Sequence, residues 1–360
     1  MVFGFLKRNK VSQDPHPVEI RTATGGSPKT IEVKPKESIL QAALAAGIPF
    51  PHSCRVGSCL SCRCKLVEGD VKQLTDTSYV LSEEELREGY ILACQAQPRS
   101  AVVVEVSELE DDMEMVQEKV IDGTIAKTEA LTHDIIAVTI QLEQPMQYTA
   151  GQYADVSVPG VIEEARSYSF AEPPLPGGNS QVTFHIRHVP GGVLTDWIHA
   201  EDRIGTAVKV DGPLGTFHLK ASRKPMLCIA GGSGMAPLKA ILEHAATQNC
   251  TREVVYLYGA RTQKDVYCEK EMTAIRNRWS GKFEFIPVLS EEPEDSDWQG
   301  PRGMVTDFVG QQDFDVAEAS AYMCGPPPMI DAAMKVLEDK GMPESEIHYD
   351  KFLDKSHEHG

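Results

Sequence analysis

With 360 residues, a formal net charge of −18, 41% hydrophobic and 24% charged residues, the chain is too long for one core and reads as two or three globular domains. The acidic balance argues against nucleic acid as a partner, because a phosphate backbone attracts basic surfaces. It suits solubility, or a protein partner with a basic face. No apolar run approaches the ~20 residues that span a bilayer, so no stable membrane anchor is expected. Nine unevenly spread cysteines point to a reducing cytoplasm rather than a secreted disulfide framework.

The start, MVFGFLKRNK, is apolar first and basic second, the wrong order for a secretory signal, so residues 1–17 read as a flexible leader. From residue 18 to 106, VEIRTATGG and TIEVKP alternate as a hairpin. SILQAALAAGI then has helical spacing with Ser38 as N-cap. A helical SEEELREGY and late strands in YILACQA and AVVVEVSEL complete a small mixed-sheet unit of β-grasp type. The acidic stretch at 107–118 lacks core periodicity and reads as a linker. Residues 119–221 hold short β-patterned runs separated by Gly, Pro and Asn, as in an antiparallel barrel. Residues 222–353 alternate strand and helix, which predicts a parallel sheet covered on both faces, and 354–360 read as a tail. The fold class is thus multidomain: α+β, then β, then α/β.

In the first unit, CRVGSCLSC places Cys54, Cys59 and Cys62 at C-x4-C-x2-C, with Cys94 far downstream in ILACQA. A structural zinc site usually pairs two short knuckles, and here the distal half offers one cysteine. The spacing favours a plant-type [2Fe-2S] site, with zinc or unliganded packing thiols as alternatives. Gly57, Ser58 and Ser61 are small enough to let backbone N–H groups wrap close to sulfides. Cys64 reads as packing. The cysteine pattern with LACQA closely resembles the plant-type ferredoxin domain. That resemblance implies Cys54, Cys59, Cys62 and Cys94 as iron ligands of a one-electron centre near about −400 mV.

In the barrel segment, RSYSF alone is a weak signal, since any half-buried strand could read so. A flavin needs a guanidinium for its diphosphate, an aromatic face for its ring and a hydroxyl near the ring nitrogens. Arg166, Tyr168 and Ser169 offer these three. VPGGVLTDWI follows with a Gly-Gly turn into a helix, and DGPLGTF reads as a tight turn before a strand. The order RSYS, VPGGVLT, GPLGTF resembles the FAD-binding barrel of the ferredoxin-NADP reductase superfamily. The resemblance implies that Arg166, Tyr168, Ser169, Ile186 and Arg187 hold FAD, with Gly192, Val193, Leu194 and Thr195 around the diphosphate. His185 and His188 read as surface residues.

In the last segment, MLCIAGGSGMAPL is a buried strand, a glycine turn and a helix with proline in its first turn. Gly232 and Gly234 let a diphosphate approach, although the third glycine of the usual dinucleotide fingerprint is missing. Pro in this place, together with CGPPPM, resembles the same reductase superfamily. The resemblance implies a nicotinamide nucleotide against Gly232, Ser233, Gly234, Met235 and Pro237 on one turn and Gly325, Pro326 and Met329 on the other. Cys324 would shape the nicotinamide stack without acting as a nucleophile, and HYDKF, which resembles the C-terminal strand of that superfamily, would bring Asp350 and Phe352 to the flavin beside Ser169. After YLYGAR, the residues lack an Arg/Ser-rich run, and Asp265 suits a ribose hydroxyl, which favours NADH over NADPH.

Hydride donors give two electrons and iron clusters take one, and flavin converts between them. The full order is similar to the reductase components of bacterial multicomponent oxygenases, of the phenol and toluene monooxygenase and ring-hydroxylating dioxygenase types. It implies electron flow from NADH through FAD and a [2Fe-2S] cluster to an oxygenase or hydroxylase component, directly or through a separate ferredoxin, in aromatic hydrocarbon catabolism. Two other readings share parts of the pattern: the reductase partner of an iron–sulfur dehydratase in deoxysugar synthesis, and a redox-sensing adaptor without turnover.

Overall fold

The structure, a computed structural model, describes residues 14–110, 113 and 116–352. The chain forms two compact units divided between residues 111 and 112.

The first unit opens with β1 (His16–Thr22) and β2 (Lys29–Val33), an antiparallel hairpin, followed by α1 (Ile39–Ala45). Ser38 caps α1 as expected, in a full capping box with Gln41. Then come β3 (Arg63–Glu68), β4 (Val71–Gln73), α2 (Glu83–Glu88), β5 (Tyr90–Leu92), β6 (Ala96–Pro98) and β7 (Val102–Val106). The sheet order is β2-β1-β7-β3-β5, with β1 and β7 parallel and the remaining pairs antiparallel. α1 lays Ile39, Leu40, Ala42 and Ala43 into a core shared with Val18, Ile20, Val104 and Cys64.

Two boundaries differ from the sequence expectation. β1 begins at His16, inside the expected leader, because its first residues already pair with β2. In the expected linker, Leu109 joins the first core and the Glu110 N–H bonds Pro49 O at 2.9 Å, so the first unit runs past 106. The rest of the leader up to residue 13, residues 111, 112, 114 and 115, and the tail from 353 lie outside the described residues.

The second unit begins with β8 (Lys119–Ala130), β9 (Ile135–Met146), β10 (Tyr153–Val158), β11 (Ile162–Ser169), β12 (Asn179–Arg187), α3 (Val193–Ala200) and β13 (Ala207–Leu214). These strands are antiparallel in the order β11-β10-β13-β8-β9-β12. A bridge between Phe170 and Phe184 draws the two edge strands together, so the sheet curls into a barrel around Phe170, Val182 and Phe184. DGPLGTF corrects the sequence reading: β13 runs through Gly212, and the turn at Gly215 follows the strand. A side chain at Gly212 would press on Ala154 Cβ at 3.0 Å, so the glycine there serves close strand packing rather than a turn.

The unit continues with β14 (Met226–Gly231), α4 (Met235–Thr247), β15 (Val254–Ala260), α5 (Glu269–Arg278), β16 (Phe283–Leu289), β17 (Ser320–Gly325), α6 (Pro327–Asp339) and β18 (Ile347–Lys351). All five strands are parallel, in the order β16-β15-β14-β17-β18. β14 and β17 are buried at every position, as expected of central parallel strands. The order reverses between β14 and β17, and such a switch point opens a crevice at the strand C-termini. No helix among the described residues is long and apolar enough to cross a membrane.

Candidate functional site

In the first unit, the loop from 54 to 62 leads into β3, and Cys94 sits on the 3-10 turn Ala93–Gln95 rather than on a strand as the sequence suggested. The turn breaks strand alternation and aims the thiol back at the loop. Three of the four thiols are nearly buried, with Cys54 half-buried. They form two hydrogen-bonded pairs, Cys54 with Cys59 and Cys62 with Cys94. In each pair the shared bond, with burial opposing or adding to it, pushes one thiol down (Cys54, Cys94) and the other up (Cys59, Cys62). Backbone N–H groups point at sulfur: Cys54 N to Cys59 Sγ and Ser58 N to Cys54 Sγ, both at 3.4 Å, while the Gln95 amide donates to Cys94 Sγ at 3.6 Å. To make this wrap, Arg55, Gly57 and Leu60 all take positive φ, at 58°, 91° and 65°. For the two non-glycine residues that conformation costs roughly 1 kcal/mol each, which is strain of the kind stored at functional sites.

Spacing between the thiols discriminates between metals. Among the described residues, the only group of three or more histidine, cysteine or carboxylate ligand atoms within 4.8 Å of one another is His133, Asp134 and Asp265. No three of the four thiols therefore suit a single zinc, whose bonds of about 2.3 Å keep its sulfurs within ~4.6 Å. Two pairs, each ringed by N–H donors, fit two irons. The His133 group is occupied differently: Arg187 and Arg261 both bond Asp134 Oδ2 at 3.1 Å, and Arg261 also reaches Asp265.

In the barrel, β11 carries Arg166, Tyr168 and Ser169. Arg166 turns back onto the carbonyls of Glu164 and Ala165, Tyr168 packs 6.3 Å from Phe184, and Ser169 is buried. Burial pushes the Tyr168 phenol up, so it stays neutral. Ile186 faces the barrel core and lends its carbonyl to His199 at 3.1 Å. At the start of α3, Leu194 is buried in the same core, and the Thr195 hydroxyl is spent on the Val189 and Gly192 backbone. That leaves Gly192 and the exposed Val193 as the approachable part of the turn.

His185 corrects the surface reading. It is 7% exposed, with Nδ1 3.3 Å from the Tyr267 hydroxyl, which also donates to Gly232 O at 3.1 Å. β12 has neighbours on both faces here, so strand alternation does not mark the outside. Burial, helped by the Lys239 ammonium, pushes the His185 imidazole down to about 3. An unfolded histidine titrates near about 6.5. Between those values the unfolded chain binds a proton that the folded chain refuses, so stability falls as pH drops through that window. Denaturant melts should show this group costing about 2 kcal/mol on going from pH 6.5 to 5. His185→Gln should remove about one proton's share of that slope, leaving the shares of His52 and His348, whose imidazoles burial also pushes down, and an unchanged slope would remove His185 from this role.

At the switch point, the turn Gly232–Gly234 leads from β14 into α4, and Gly325-Pro326 leads from β17 into α6. Gly234 is 2.1 Å from being blocked: a Cβ there would meet Cys324 O at that distance. The two turns are therefore packed backbone against backbone. Met235 and Pro237 are buried behind the first turn, Ser233 is half-buried on it, and Phe352 N bonds Gly325 O at 2.9 Å. A cleft of about 210 Å³ opens here, lined by Gly232, Asp265, Pro326 and Met329 together with Asp134 and Arg187 from the barrel. Of the expected nucleotide residues, Gly232, Asp265, Pro326 and Met329 line the cleft, and the others lie on or behind its two turns. Two expectations are placed differently. Cys324 has no exposed surface, and burial pushes its thiol well up, so it can shape the cleft floor only from behind. Both carboxylate oxygens of Asp265 are already engaged, by Thr262 and by Arg261, which makes it a cap and an arginine holder as well as a cleft wall. Asp134 gave no sequence signal beyond an ordinary turn in LTHD.

Three family models match the chain: a 2Fe-2S iron-sulfur cluster binding domain over residues 23–99, an oxidoreductase FAD-binding domain over 122–219 and an oxidoreductase NAD-binding domain over 228–335. The xylene/toluene monooxygenase electron transfer component XylA of Pseudomonas putida is 38% identical over 339 residues, covering 94% of this chain and 95% of that protein. The chain belongs to the family of oxygenase reductase components. The phenol 2-monooxygenase reductase component DmpP of a Pseudomonas species is 35% identical, over 90% of this chain and 92% of its own. Among solved structures, the Amycolatopsis cytochrome P450 reductase GcoB superposes with a TM-score of 0.75 at 31% identity, covering 94% of this chain and 99% of that one. Like other members of this reductase family, the chain is an FAD-, NAD- and [2Fe-2S]-dependent electron-transfer oxidoreductase.

Proposed function

We propose that this reductase takes hydride from NADH at the switch-point cleft and delivers single electrons, through its cluster, to the oxygenase component of a multicomponent oxygenase, directly or through a separate ferredoxin. The observation that carries this reading is the cleft itself, walled on one side by the barrel and on the other by the two nucleotide turns. Flavin, when bound, accepts hydride and gives up electrons singly. The chain's own residues do the rest. Tyr168 and Ser169 present a neutral phenol face and a hydroxyl on β11, while Gly192 and Val193 leave α3 open to a diphosphate. Gly232 to Met235 and Gly325 to Met329 hold the nicotinamide nucleotide, with Arg187 and Arg261 fixed by Asp134 beside its phosphates. Cys54 with Cys59 would hold one iron and Cys62 with Cys94 the other, supplying a one-electron centre. The odd number and uneven spread of the nine cysteines support a reducing cytoplasm as the compartment.

An anaerobic NADH titration of the purified holoprotein, followed by visible absorption and EPR, tests this. The expected result is flavin bleaching with a rhombic signal from a reduced [2Fe-2S] centre, then reoxidation when the oxygenase component is added. A protein that bleaches flavin yet never shows the EPR signal would end the cluster route.

A further inference from the structure

Lys239 is a buried charge that neither the flavin nor the nucleotide assignment uses. It lies on α4, one turn past the Gly232–Gly234 turn, in the otherwise apolar stretch APLKAIL, with 5% of its side chain exposed. All three ammonium hydrogens are engaged. Nζ donates to Ala171 O at 3.1 Å, Glu172 Oε2 at 3.1 Å and Glu243 Oε2 at 3.0 Å. Ala171 and Glu172 belong to the barrel, two and three residues past Ser169, whereas Glu243 is on α4 itself. Burial alone would push the ammonium down, but the two carboxylates outweigh it and hold it above the usual lysine range, so it is charged at any physiological pH.

We propose that Lys239 is a positioning residue that sets the angle of α4, and hence of the nucleotide turn, against the strand bearing Tyr168 and Ser169. This inference rests on the cofactor placement proposed above. The turn itself is already pinned at one point, where Tyr267 bonds both Gly232 O and His185 of the barrel. Farther along the helix the barrel also meets α4 through apolar contacts, with Gly151 against Ile241, and such contacts slide at little cost. Lys239 supplies the directional attachment there. A buried ammonium satisfied by a carbonyl and two carboxylates resists sliding, because any displacement leaves a desolvated charge short of a partner. Hydride transfer responds steeply to such displacement: misplacement by ~1 Å can cost ~10²-fold in rate.

The test uses rapid anaerobic mixing of the intact holoprotein with NADH. Lys239→Met keeps the length and removes the charge. It should lower the limiting rate of flavin reduction by about 10²-fold, with little change in half-saturating NADH. The long-wavelength absorbance of the stacked nicotinamide and reduced flavin should weaken in parallel, while bound flavin stays at the wild-type level. Glu172→Ala and Glu243→Ala separate positioning from mere stability, since each removes one carboxylate from the same ammonium. Only the first weakens the link to the barrel, so Glu172→Ala should slow flavin reduction and Glu243→Ala should not, and this pair decides the matter if Lys239→Met fails to fold. Wild-type rates in Lys239→Met, or equal slowing by the two glutamate variants with equal loss of melting temperature, would overturn the proposal. Absence of flavin or NADH binding in the wild-type protein would instead strike at the underlying cofactor placement.

Discussion

Replacing Cys94 with serine should abolish the [2Fe-2S] chromophore and electron delivery to a protein acceptor while leaving NADH-to-ferricyanide activity within about twofold of wild type. The first half follows from the pairing of the thiols. Cys94 and Cys62 share one hydrogen bond. They are the proposed ligands of one iron, so the loss of either sulfur would leave that iron a single protein ligand. A serine hydroxyl cannot substitute, because an alcohol holds its proton far more tightly than a thiol, and iron–sulfur centres depend on thiolate donors. The second half follows from separate cores. Cys94 packs with Ile39, Leu92 and Ala96 in the first unit, while the flavin strand and nucleotide turns have cores of their own in the second. Serine is also nearly isosteric, which limits packing damage in the first unit. Visible absorption, EPR and the two acceptor assays on one preparation read both halves. Loss of both activities would break the modular reading of the chain.

The 2Fe-2S domain was legible in the sequence because cluster binding imposes a spacing of cysteines, and spacing survives without any knowledge of tertiary contacts. The same holds for Ser38, whose capping box is closed by Gln41 three residues later. The parallel sheet was legible because β14 and β17 bury both faces and so read as continuous apolar runs. The pairing of Cys54 with Cys59 and of Cys62 with Cys94 was not legible, since it depends on the left-handed backbone at Arg55 and Leu60, residue types that carry no such preference. His185 was misread because alternation assumes one wet face, and β12 at that point is covered by Tyr267 of the nucleotide domain. Asp134 and Lys239 were invisible for a related reason. Each acquires its role from a partner more than 50 residues away, Arg187 or Arg261 in one case and Glu172 in the other. A lysine on the apolar face of α4 was the only local hint of the second.

Gly234 carries the other large expected effect. Its φ is −60°, within reach of any residue, so backbone freedom is not why a glycine stands there. Space is. A Cβ would come 2.1 Å from Cys324 O and 2.6 Å from Cys324 C, and neither is the movable tip of a side chain. Relief requires β17 and the α4 turn to separate, yet Cys324 is held in register between Ala230 and Asp350 in the sheet. The turn must therefore give, and it carries Gly232 and Ser233 with it. A shift of even ~1 Å at the nucleotide turn predicts a fall of at least about 10²-fold in flavin reduction by NADH for Gly234→Ala. The overpacking itself should lower stability by about 1–3 kcal/mol. Dithionite needs no nucleotide turn, so it should still reduce flavin and cluster in this variant. If NADH reduces Gly234→Ala at the wild-type rate, the contact between the GGSG and CGPP turns does not shape the nucleotide site.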